Sequence, residues 1–514
     1  MSVVEAPERV VVVGFGPVAA RLVEELRPAV RAGHIELLVL GEESVPAYNR
    51  VLVGDVAVGR TTEAAIAMAG LRELWADGVQ VMLDTPATAI DRHTRQVVLA
   101  DGRTARYDRL VLATGAHAAI PPLAGLDPTH RRLPEGVTTL RDLGDARRVR
   151  AAVGAGQRLV VLGAGALGLE AALAAAEEGA DVTVAFAGRV PLDRNIDLGG
   201  GRVLVRELRR LGVGVVGGAV STGVELDRDG RFRALVLDDD TEVTGDLLLL
   251  SVGVRARVGL ARTCALGVGK GILVDHGLRA DPDGTVFAIG DCAEVLCGDA
   301  DCSDCAGREG RGPAGLVGPG WRQASWLAAH LTGAGPEPLG PEPRDLILLK
   351  ARSVDLVAAG DTTPEPWDEE RGGSLAVAQW ADPQHGRYVK MVTRDGGLTG
   401  VVCVGMPRTA AELVLLFERA GELPADRTTL FRLDAAGQEA AGTPPGPEST
   451  VCRCTGATLG SIEDAIGSGC SSVVEVGRAT RAGTGCGGCH ETIRERLAAR
   501  AASSAVPSGT GTGP

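Results

Sequence analysis

The segment RVVVVGFGPVAARLVEEL (residues 9–26) joins a run of valines to a glycine-rich turn and then to a stretch rich in alanine and leucine. A second segment, RLVVLGAGALGLEAALAAAEEGA (residues 158–180), repeats this pattern. Apolar runs without polar alternation are typical of parallel strands that are buried on both faces. The two segments therefore predict an α/β fold with two Rossmann-like halves.

The first turn carries a G-x-G-x-x-A fingerprint formed by Gly14, Gly16 and Ala19. The first glycine permits a tight turn, the second lets the backbone approach a pyrophosphate, and the helix N-terminus presents N–H dipoles to the phosphates. A carboxylate for the ribose hydroxyls is expected after the next strand. IELLVLGEE (residues 35–43) supplies it, and we choose Glu42 over its neighbour by position. A lone fingerprint of this kind also occurs as a plain glycine turn.

The second turn has the stricter G-x-G-x-x-G form, with Gly163, Gly165 and Gly168. The motif LVLATGA (residues 110–116) lies between the fingerprints, and a glycine–aspartate pair at 290–291 lies after them. Two fingerprints about 150 residues apart, combined with these motifs, form a far more specific signal than either one alone. They indicate a chain that binds two dinucleotides.

This constellation resembles the flavoproteins with two dinucleotide-binding domains, the pyridine-nucleotide reductase family. In that family the first fingerprint binds FAD, the second binds NAD(P)H, the A-T-G turn marks the crossover between the domains, and the aspartate of the G-D motif bonds the ribityl or phosphate part of FAD. TPATAID (residues 85–91) similarly resembles the segment whose backbone meets the adenine. The resemblance implies an oxidoreductase whose FAD-side residues are Gly14, Gly16, Ala19, Glu42, Ala87, Ala113, Thr114, Gly115, Gly290 and Asp291, and whose NAD(P)H-side residues are Gly163, Gly165 and Gly168.

The segment AYNRVLV (residues 47–53) narrows the resemblance to one subgroup. It is similar to the Y-[DN]-R segment of rubredoxin reductases and of the large subunit of NAD(P)H-dependent nitrite reductase, which implies that Arg50 lies near the flavin. Gly54 stands where the subgroup has a serine, which leaves the local flavin contacts undefined. The redox disulfide C-x4-C of many family members has no counterpart between Met1 and Cys264, so dithiol chemistry is not expected.

The resemblance to the nitrite reductase large subunit extends further along the chain. AGLVGPGWRQASWLAAHLTG (residues 314–333) is similar to the segment that follows the G-D motif in that family, and GRYVKMVTRDGGLTGVVCVG (residues 386–405) is similar to its next, small domain. With the cysteine-rich region described below, the resemblance covers nearly the whole chain.

The nicotinamide preference depends on the end of the strand DVTVAFAGR (residues 181–189). A carboxylate there binds the ribose 2′-hydroxyl of NADH, whereas an arginine favours the 2′-phosphate of NADPH. Arg189 is present without a carboxylate, which favours NADPH, and a merely surface-exposed arginine is the alternative. Glu170 matches a glutamate that relatives place near the nicotinamide, but it is equally ordinary as a charge in the first part of a helix.

Four cysteines near the C-terminus form two close pairs, Cys452 with Cys454 and Cys486 with Cys489. Four thiolates in turn-like pairs can hold a tetrahedral zinc ion or a [2Fe-2S] cluster, and the spacing alone does not choose between them. The segment from residue 451 to residue 493, with its T-G-C-G-x-C motif, resembles the bacterioferritin-associated ferredoxin (BFD) type of [2Fe-2S] domain. That resemblance implies an iron–sulfur cluster on these four residues.

Other cysteines have less defined roles. Cys297, Cys302 and Cys305 lie in VLCGDADCSDCAGREG (residues 295–310), which is either a second metal site or a solvent-exposed insertion with incidental thiols. Cys470 belongs to neither pair of the cluster region, so we interpret it as a packing residue.

Composition limits the classes of partner and the cellular compartment that we expect. The 514 residues carry a formal net charge of -13, which argues against nucleic acid or an acidic membrane surface as the main partner. The N-terminus has no basic region followed by a long apolar run, and the eleven cysteines are mostly clustered. This pattern predicts a cytoplasmic protein whose thiols bind metal.

The predicted domains follow from these motifs and from composition. The region 340–425 mixes strand and helix patterns, and the region 433–449 is rich in alanine, glycine and proline, as linkers are. The predicted order is an FAD-binding domain at 1–118 and 246–335, an NAD(P)-binding domain at 119–245, a small α+β domain at 340–425, a linker at 433–449, a [2Fe-2S] domain at 450–500 and a disordered tail at 501–514.

The resemblance implies an electron-transfer function. A complete nitrite reductase large subunit continues with domains for sirohaem and a [4Fe-4S] cluster, whereas this chain ends 25 residues after Cys489. We therefore expect electrons to pass from NAD(P)H through FAD and the cluster to a separate catalytic subunit of assimilatory nitrate or nitrite reductase. Two alternatives stay open: a ferredoxin- or rubredoxin-type reductase that serves a monooxygenase, and an NAD(P)H oxidase or sensor with a zinc-bound docking module.

Overall fold

The structure is a computed structural model of the chain. It describes residues 6–127, 133–296, 315–335, 346–368, 375–419, 421–434, 446–452, 455–485 and 487–504, together with Pro313 and Leu339. Among these residues, no helix is both long and apolar enough to cross a bilayer.

Parallel strands form two five-stranded sheets in the first part of the chain, and antiparallel strands form the five-stranded sheet of the later part. In chain order they are β1 (Glu8–Val13), β2 (Ile35–Leu40), β3 (Gln80–Met82), β4 (Ala87–Asp91), β5 (Gln96–Leu99), β6 (Thr104–Arg106), β7 (Arg109–Leu112), β8 (Ala116–Ala118), β9 (Val137–Thr139), β10 (Leu159–Leu162), β11 (Val182–Phe186), β12 (Gly214–Gly217), β13 (Ser221–Leu226), β14 (Phe232–Leu237), β15 (Glu242–Thr244), β16 (Leu247–Leu250), β17 (Val254–Ala256), β18 (Ile272–Val274), β19 (Val286–Ala288), β20 (Ala293–Val295), β21 (Leu346–Lys350), β22 (Asp355–Gly360), β23 (Ala376–Asp382), β24 (Arg387–Arg394), β25 (Gly397–Val404), β26 (Thr450–Cys452) and β27 (Ala457–Thr458).

The helices that follow β1 and β10 are the two that the opening segments predict. In chain order the helices are α1 (Pro17–Arg31), α2 (Val53–Ala57), α3 (Leu71–Ala76), α4 (Leu143–Gly154), α5 (Ala166–Glu177), α6 (Leu198–Arg210), α7 (Gly259–Thr263), α8 (Val317–Leu331), α9 (Pro407–Glu418), α10 (Thr428–Phe431), α11 (Leu459–Gly467), α12 (Val473–Thr480) and α13 (His490–Ser504). Short 3-10 turns occur at Arg50–Leu52, Ala64–Ile66, Gly290–Cys292, Pro383–His385 and Arg432–Asp434.

The first sheet has the order β19-β7-β1-β2-β3, and all of its strands are parallel. Its central strand β1 is buried because β2 and β7 flank it and its valines share one core with residues of α1, α8 and the β4-β5-β6 sheet, which explains the unbroken valine run. This sheet brings the carboxyl ends of β1, β2 and β7 to one edge, where ligands of such sheets bind.

The second sheet has the order β12-β11-β10-β16-β9 and is also parallel. The prediction that residues from 246 onward belong to the first domain is wrong for β16, because this strand pairs with β10 and with β9. The run of four leucines in β16 is fully buried, as an interior parallel strand requires. The sequence indicates a buried strand there but does not state which sheet receives it.

The chain crosses between the two sheets along an antiparallel pair. β8 leaves the first sheet and pairs with β17, which returns from the second. The hydroxyl of Thr114 donates to the carbonyl oxygen of Arg257 at 2.9 Å, and the Arg257 N–H donates to the carbonyl oxygen of Gly115 at 2.9 Å. The A-T-G turn therefore lies at the crossover, as the resemblance implies.

The small domain is an antiparallel sheet of order β21-β22-β25-β24-β23 with α9 on one face. It extends beyond the predicted boundary at 425, because the Thr409 hydroxyl donates to the carbonyl oxygen of Leu430 at 2.8 Å and the Thr409 N–H donates to Asp434 at 2.9 Å. The first two residues of the predicted linker thus belong to this domain, and residues 435–445 lie outside the described part.

The C-terminal module contains β26, β27 and three helices around a small core of its own, which includes Ile462, Val476 and Ile493. Cys470 packs against this core, in keeping with its interpretation as a packing residue. The helix α13 extends to Ser504, four residues into the segment 501–514 that the sequence predicts to be a disordered tail. The rest of that segment lies outside the described residues.

Arg60 joins three parts of the molecule. Its guanidinium, 8% exposed, contacts Glu177 at 2.6 Å and Glu178 at 2.8 Å on α5 of the second sheet. Glu177 also accepts a hydrogen bond of 3.0 Å from the N–H of Ser353 in the small domain. Glu177 of the second part therefore links Arg60 of the first part to Ser353 of the small domain.

Candidate functional site

The first glycine turn has the geometry that a bound pyrophosphate requires. Gly14 has φ +102°, and a Cβ at this position would lie 2.3 Å from the carbonyl oxygen of Ala113. Gly16 is the N-cap of α1 and supplies no capping side chain, so the first-turn N–H groups point out of the helix toward a ligand. Ala19 is fully buried against the sheet. The turn therefore fits a dinucleotide phosphate.

The G-D motif closes the same edge of the sheet. Asp291 lies in the 3-10 turn after β19, and its carboxylate accepts a hydrogen bond of 2.6 Å from the Arg141 guanidinium. Gly290 is held by its N–H, which donates to the side chain of Gln323 on α8 at 2.7 Å. Cys292 is completely buried beneath the motif, and burial raises the pKa of its thiol, which suits a packing role. The sequence reasoning missed Arg141 and Gln323, because neither lies in a recognisable motif.

The two adjacent glutamates after β2 have different partners. Glu42 pairs with Arg257 at the crossover, and its side chain is 52% exposed. Glu43 pairs with Arg50 and accepts a hydrogen bond of 2.8 Å from the Tyr48 hydroxyl. The Arg50 guanidinium also lies 5.0 Å from the centre of the Tyr48 ring. Glu42 stays the predicted ribose ligand, while Glu43 orients Arg50.

Ala87 begins β4 close to the end of β2. The N–H of Thr85, two residues earlier, donates to the carbonyl oxygen of Gly41 at 2.8 Å. This bond places the TPATAID segment beside the first glycine turn, and Ala87 stays a predicted adenine contact.

The second glycine turn repeats the geometry of the first. Gly163 has φ +112°, and a Cβ there would lie 2.3 Å from the carbonyl oxygen of Ser251. Gly165 is the N-cap of α5 without a capping side chain, and Gly168 is buried inside that helix. The turn fits a second dinucleotide for the same reasons.

The end of β11 carries the residues that bear on the nicotinamide. Phe186 is buried, and Arg189 is exposed in the following loop. Glu170 is partly buried on α5. The side chain of Leu167, between the last two glycines of the fingerprint, is 43% exposed. The assignments of Arg189 and Glu170 to NAD(P)H stay predictions.

Two of the four predicted cluster ligands lie within the described residues, and they lie together. Cys452 is 2% exposed at the end of β26, and Cys489 is 5% exposed before α13. A hydrogen bond with Cys489 holds the pKa of the Cys452 thiol well below its usual range. A thiolate is the form that ligates metal, so this pair fits a cluster.

The remaining cysteine predictions fall outside the described residues. Cys454 and Cys486 lie between Cys452 and Cys489 in sequence, and Cys297, Cys302 and Cys305 belong to the undescribed segment after β20. Within the described ranges no group of three or more metal-ligating side chains gathers. The second metal site stays a prediction.

The cluster module contacts the flavin-side segment. The Asn49 amide, 4% exposed, donates to the carbonyl oxygens of Thr484 at 2.8 Å and Gly485 at 2.5 Å. Arg481 contacts Glu25 of α1 at 2.8 Å. The loop that leads to Cys486 therefore lies next to the residue that precedes Arg50, a proximity that the sequence motif AYNRVLV does not reveal.

Two family models match the chain. The pyridine nucleotide-disulphide oxidoreductase model matches residues 8–313, and the BFD-like [2Fe-2S] binding domain model matches residues 450–499. The first match contains both glycine turns and the G-D motif, and the second contains the four paired cysteines. The match to a [2Fe-2S] domain favours iron–sulfur over zinc at these cysteines.

Curated relatives match nearly the whole chain. Nitrite reductase [NAD(P)H] of Bacillus subtilis is 29% identical over 95% of this chain and 57% of its own length. The assimilatory nitrate reductase electron transfer subunit of the same organism is 28% identical over 95% of this chain and 59% of its own length. The chain thus spans less than two thirds of the length of these relatives.

A solved structure supports the fold. The putidaredoxin reductase chain in a covalent complex with putidaredoxin superimposes with a TM-score of 0.68, at 24% identity, over 83% of this chain and 96% of that chain. At this identity the likeness concerns the architecture alone, and it agrees with the Rossmann-like sheets described above.

Proposed function

Because the chain belongs to the pyridine nucleotide-disulphide oxidoreductase family and carries a BFD-like [2Fe-2S] binding domain, we propose that it supplies electrons to an assimilatory nitrate or nitrite reductase centre on a separate chain. The donor is NAD(P)H, and the cofactors are FAD and a [2Fe-2S] cluster. A flavin accepts a hydride and releases its two electrons singly, which a one-electron cluster requires.

A different set of residues is assigned to each of these groups. We assign the first glycine turn and Asp291 to FAD, and the second turn to the nicotinamide nucleotide. Cys452 and Cys489, with Cys454 and Cys486, are assigned to the cluster. Tyr48 and Glu43 orient Arg50 on the flavin side, so a positive charge is kept close to the expected position of the flavin.

One observation supports the relay most directly, namely the contact between Asn49 and the loop before Cys486. The residue beside the flavin-side Arg50 and the residue beside a predicted cluster ligand are thereby brought into hydrogen-bonding range. Such proximity is what transfer of electrons between the two sites requires.

The choice of acceptor rests on the relatives. A protein named as an assimilatory nitrate reductase electron transfer subunit aligns over 95% of this chain, through both the flavoprotein and the cluster parts. We infer the same class of acceptor here, nitrate or nitrite reductase.

Anaerobic stopped-flow reduction tests the relay. The purified chain, loaded with FAD and iron, is mixed with NADPH or NADH, and the flavin and cluster absorbances are followed separately. We expect the flavin to bleach first and the cluster to follow. A flavin that is reduced while the cluster stays oxidised contradicts the relay and favours an oxidase or sensor.

Affinity capture tests the acceptor. The chain serves as anaerobic bait, and captured fractions are assayed for oxidation of NAD(P)H that depends on nitrate or nitrite. Capture of such a reductase supports the proposal. Efficient reduction of a ferredoxin or rubredoxin, with no turnover of nitrate or nitrite, supports the reductase that serves a monooxygenase.

A further inference from the structure

We propose that Asn49 and Arg481 are positioning residues that dock the cluster module against the FAD-binding part, in the position where the cluster receives electrons. This inference rests on the proposed function for its purpose, but the docking itself rests on contacts between described residues. The residues are far apart in the chain, since Asn49 and Thr484 are separated by 435 positions.

The Asn49 side chain is fixed at both ends. Its Oδ1 accepts a hydrogen bond of 3.0 Å from the N–H of Val51 and so caps the 3-10 turn that contains Arg50. Its Nδ2 then points at the module, where it donates to the carbonyl oxygens of Thr484 and Gly485. One amide group therefore joins the flavin-side turn to the cluster loop.

Arg481 provides a second contact between the module and the FAD-binding part. It has a left-handed backbone, φ +65°, at the end of α12, and its guanidinium contacts Glu25 at 2.8 Å and Glu24 at 3.9 Å. Glu25 is itself held by the hydroxyl of Ser325 on α8 at 3.0 Å. The acidic partner is thus preorganised by the FAD-binding part.

The character of these contacts favours repeated docking over permanent fusion. The module has its own hydrophobic core, separate from the cores of the other domains. Amide–carbonyl bonds and a partly exposed ion pair can be replaced by water when the module leaves, without exposing a large apolar surface. The docked loop faces Asn49, so a partner protein reaches that surface of the loop only when the module moves away.

The substitution Asn49→Asp isolates the docking function. A carboxylate keeps the acceptor that caps the Val51 N–H, but it loses both donors and places negative charge against two carbonyl oxygens. The matched control is Asn195→Asp, which adds the same charge at a partly buried asparagine of the second Rossmann-like part. For the ion pair, Arg481→Gln is compared with Arg478→Gln, an exposed arginine on the same module.

Three measurements distinguish a loss of docking of the cluster module from damage to the flavin site or to the cluster. Hydrogen–deuterium exchange of the full, cofactor-loaded chain should increase at residues 49–52 in Asn49→Asp and stay unchanged in Asn195→Asp. In stopped flow, NAD(P)H should reduce the flavin at the wild-type rate while reduction of the cluster slows by about tenfold or more. When the protein is first reduced with dithionite, which needs no transfer from NAD(P)H, and the excess is removed by desalting, the variant should reduce cytochrome c at least as fast as the wild type.

Three results would overturn the inference. The first is unchanged exchange and unchanged cluster reduction in Asn49→Asp. The second is slow reduction of the flavin itself, which would place Asn49 in the flavin site. The third is slow transfer from the dithionite-reduced cluster, which would mean that the cluster is damaged. A wild-type cluster that NAD(P)H never reduces refutes the proposed function instead, and the exchange data still decide whether the contacts dock the module.

Discussion

Arg141, at the start of the second Rossmann-like part, donates a hydrogen bond of 2.6 Å to Asp291 of the first part. Both side chains are mostly buried, at 22% and 18% exposed. Arg141 therefore orients the carboxylate that we assign to FAD and joins the two parts at that point.

The variant Arg141→Gln should weaken FAD binding by about tenfold, since a hydrogen bond to a charged group contributes about 1.5–3 kcal/mol. Titration of the apoprotein with FAD, followed by flavin fluorescence, measures the change. Arg202→Gln, on the exposed face of α6, is the control and should bind FAD normally. Normal binding by Arg141→Gln would mean that Asp291 needs no orienting partner.

We expect substitutions of Asp197 and of Lys390 to differ in their effect on the free energy of unfolding. Lys390 is fully buried, 3.5 Å from Asp197 and 3.5 Å from Glu365, and its ammonium makes no hydrogen bond to a described residue. Asp197 also accepts a bond from the Tyr388 hydroxyl, and burial together with this bond raises the pKa of Tyr388. Asp197→Ala should lower the free energy of unfolding by about 3–5 kcal/mol, because it strands a buried charge.

In contrast, Lys390→Met should change the stability by no more than about 1 kcal/mol, because Asp197 keeps its other donors and the methionine fills the space. Urea unfolding, monitored by limited proteolysis of the small domain, measures both variants. Asp283→Ala, at an exposed position, is the control. Equal losses in Asp197→Ala and Lys390→Met would contradict the asymmetry.

We expect Arg189 to give the protein a preference for NADPH over NADH. It is exposed after β11, and residues 186–189 contain no carboxylate of their own, although the Asp193 side chain lies against Gly188. Arg189→Gln should raise the KM for NADPH by about tenfold and leave the KM for NADH unchanged, because only the 2′-phosphate needs the charge. Steady-state reduction of ferricyanide measures both constants, with Arg228→Gln as a distant control. If both constants rise equally, Arg189 does not discriminate.

We expect Cys452 to be required for the protein to retain its cluster. Its thiol is buried beside Cys489, so Cys452→Ser should lower the iron content by about tenfold and remove the visible cluster absorbance. Cys470→Ser should keep both, since Cys470 packs against the module core. Loss of iron in both variants would instead mean that the module had unfolded, which circular dichroism would detect.

Iron per polypeptide tests the second cysteine group. A single [2Fe-2S] cluster accounts for two iron atoms, and a higher count that falls when Cys297, Cys302 and Cys305 are all changed to serine would support an additional site. A count of two in both proteins would make the loop an insertion with incidental thiols.

The strand–turn–helix units are predictable from sequence because their signals are local. The glycines at 14 and 163 are required by contacts with the backbone of a neighbouring strand, and that requirement appears directly as a fingerprint. The strand Leu247–Leu250 shows what local sequence signals do not reveal. Its leucines indicate burial, but only pairing with β10 decides its sheet.

The site is predictable only in part, since its partners are distant in sequence. Glu42 and Glu43 are identical in local pattern, yet one pairs with Arg257 and the other with Arg50. The contact of Asn49 with the cluster loop has no local signal at all, because it depends on how two domains meet. Composition likewise gave no sign that α13 continues to Ser504.

The contacts of Arg60 and Ser353 with Glu177 also have a consequence for how the domains move relative to one another. Arg60 of the first Rossmann-like part and Ser353 of the small domain both bind Glu177 of the second part, so one carboxylate links all three. A rotation of the first part away from the second would have to break the ion pair of Arg60, whose side chain is 8% exposed. The surface around Asn49 should therefore keep its orientation toward the second part while the cluster module docks and leaves.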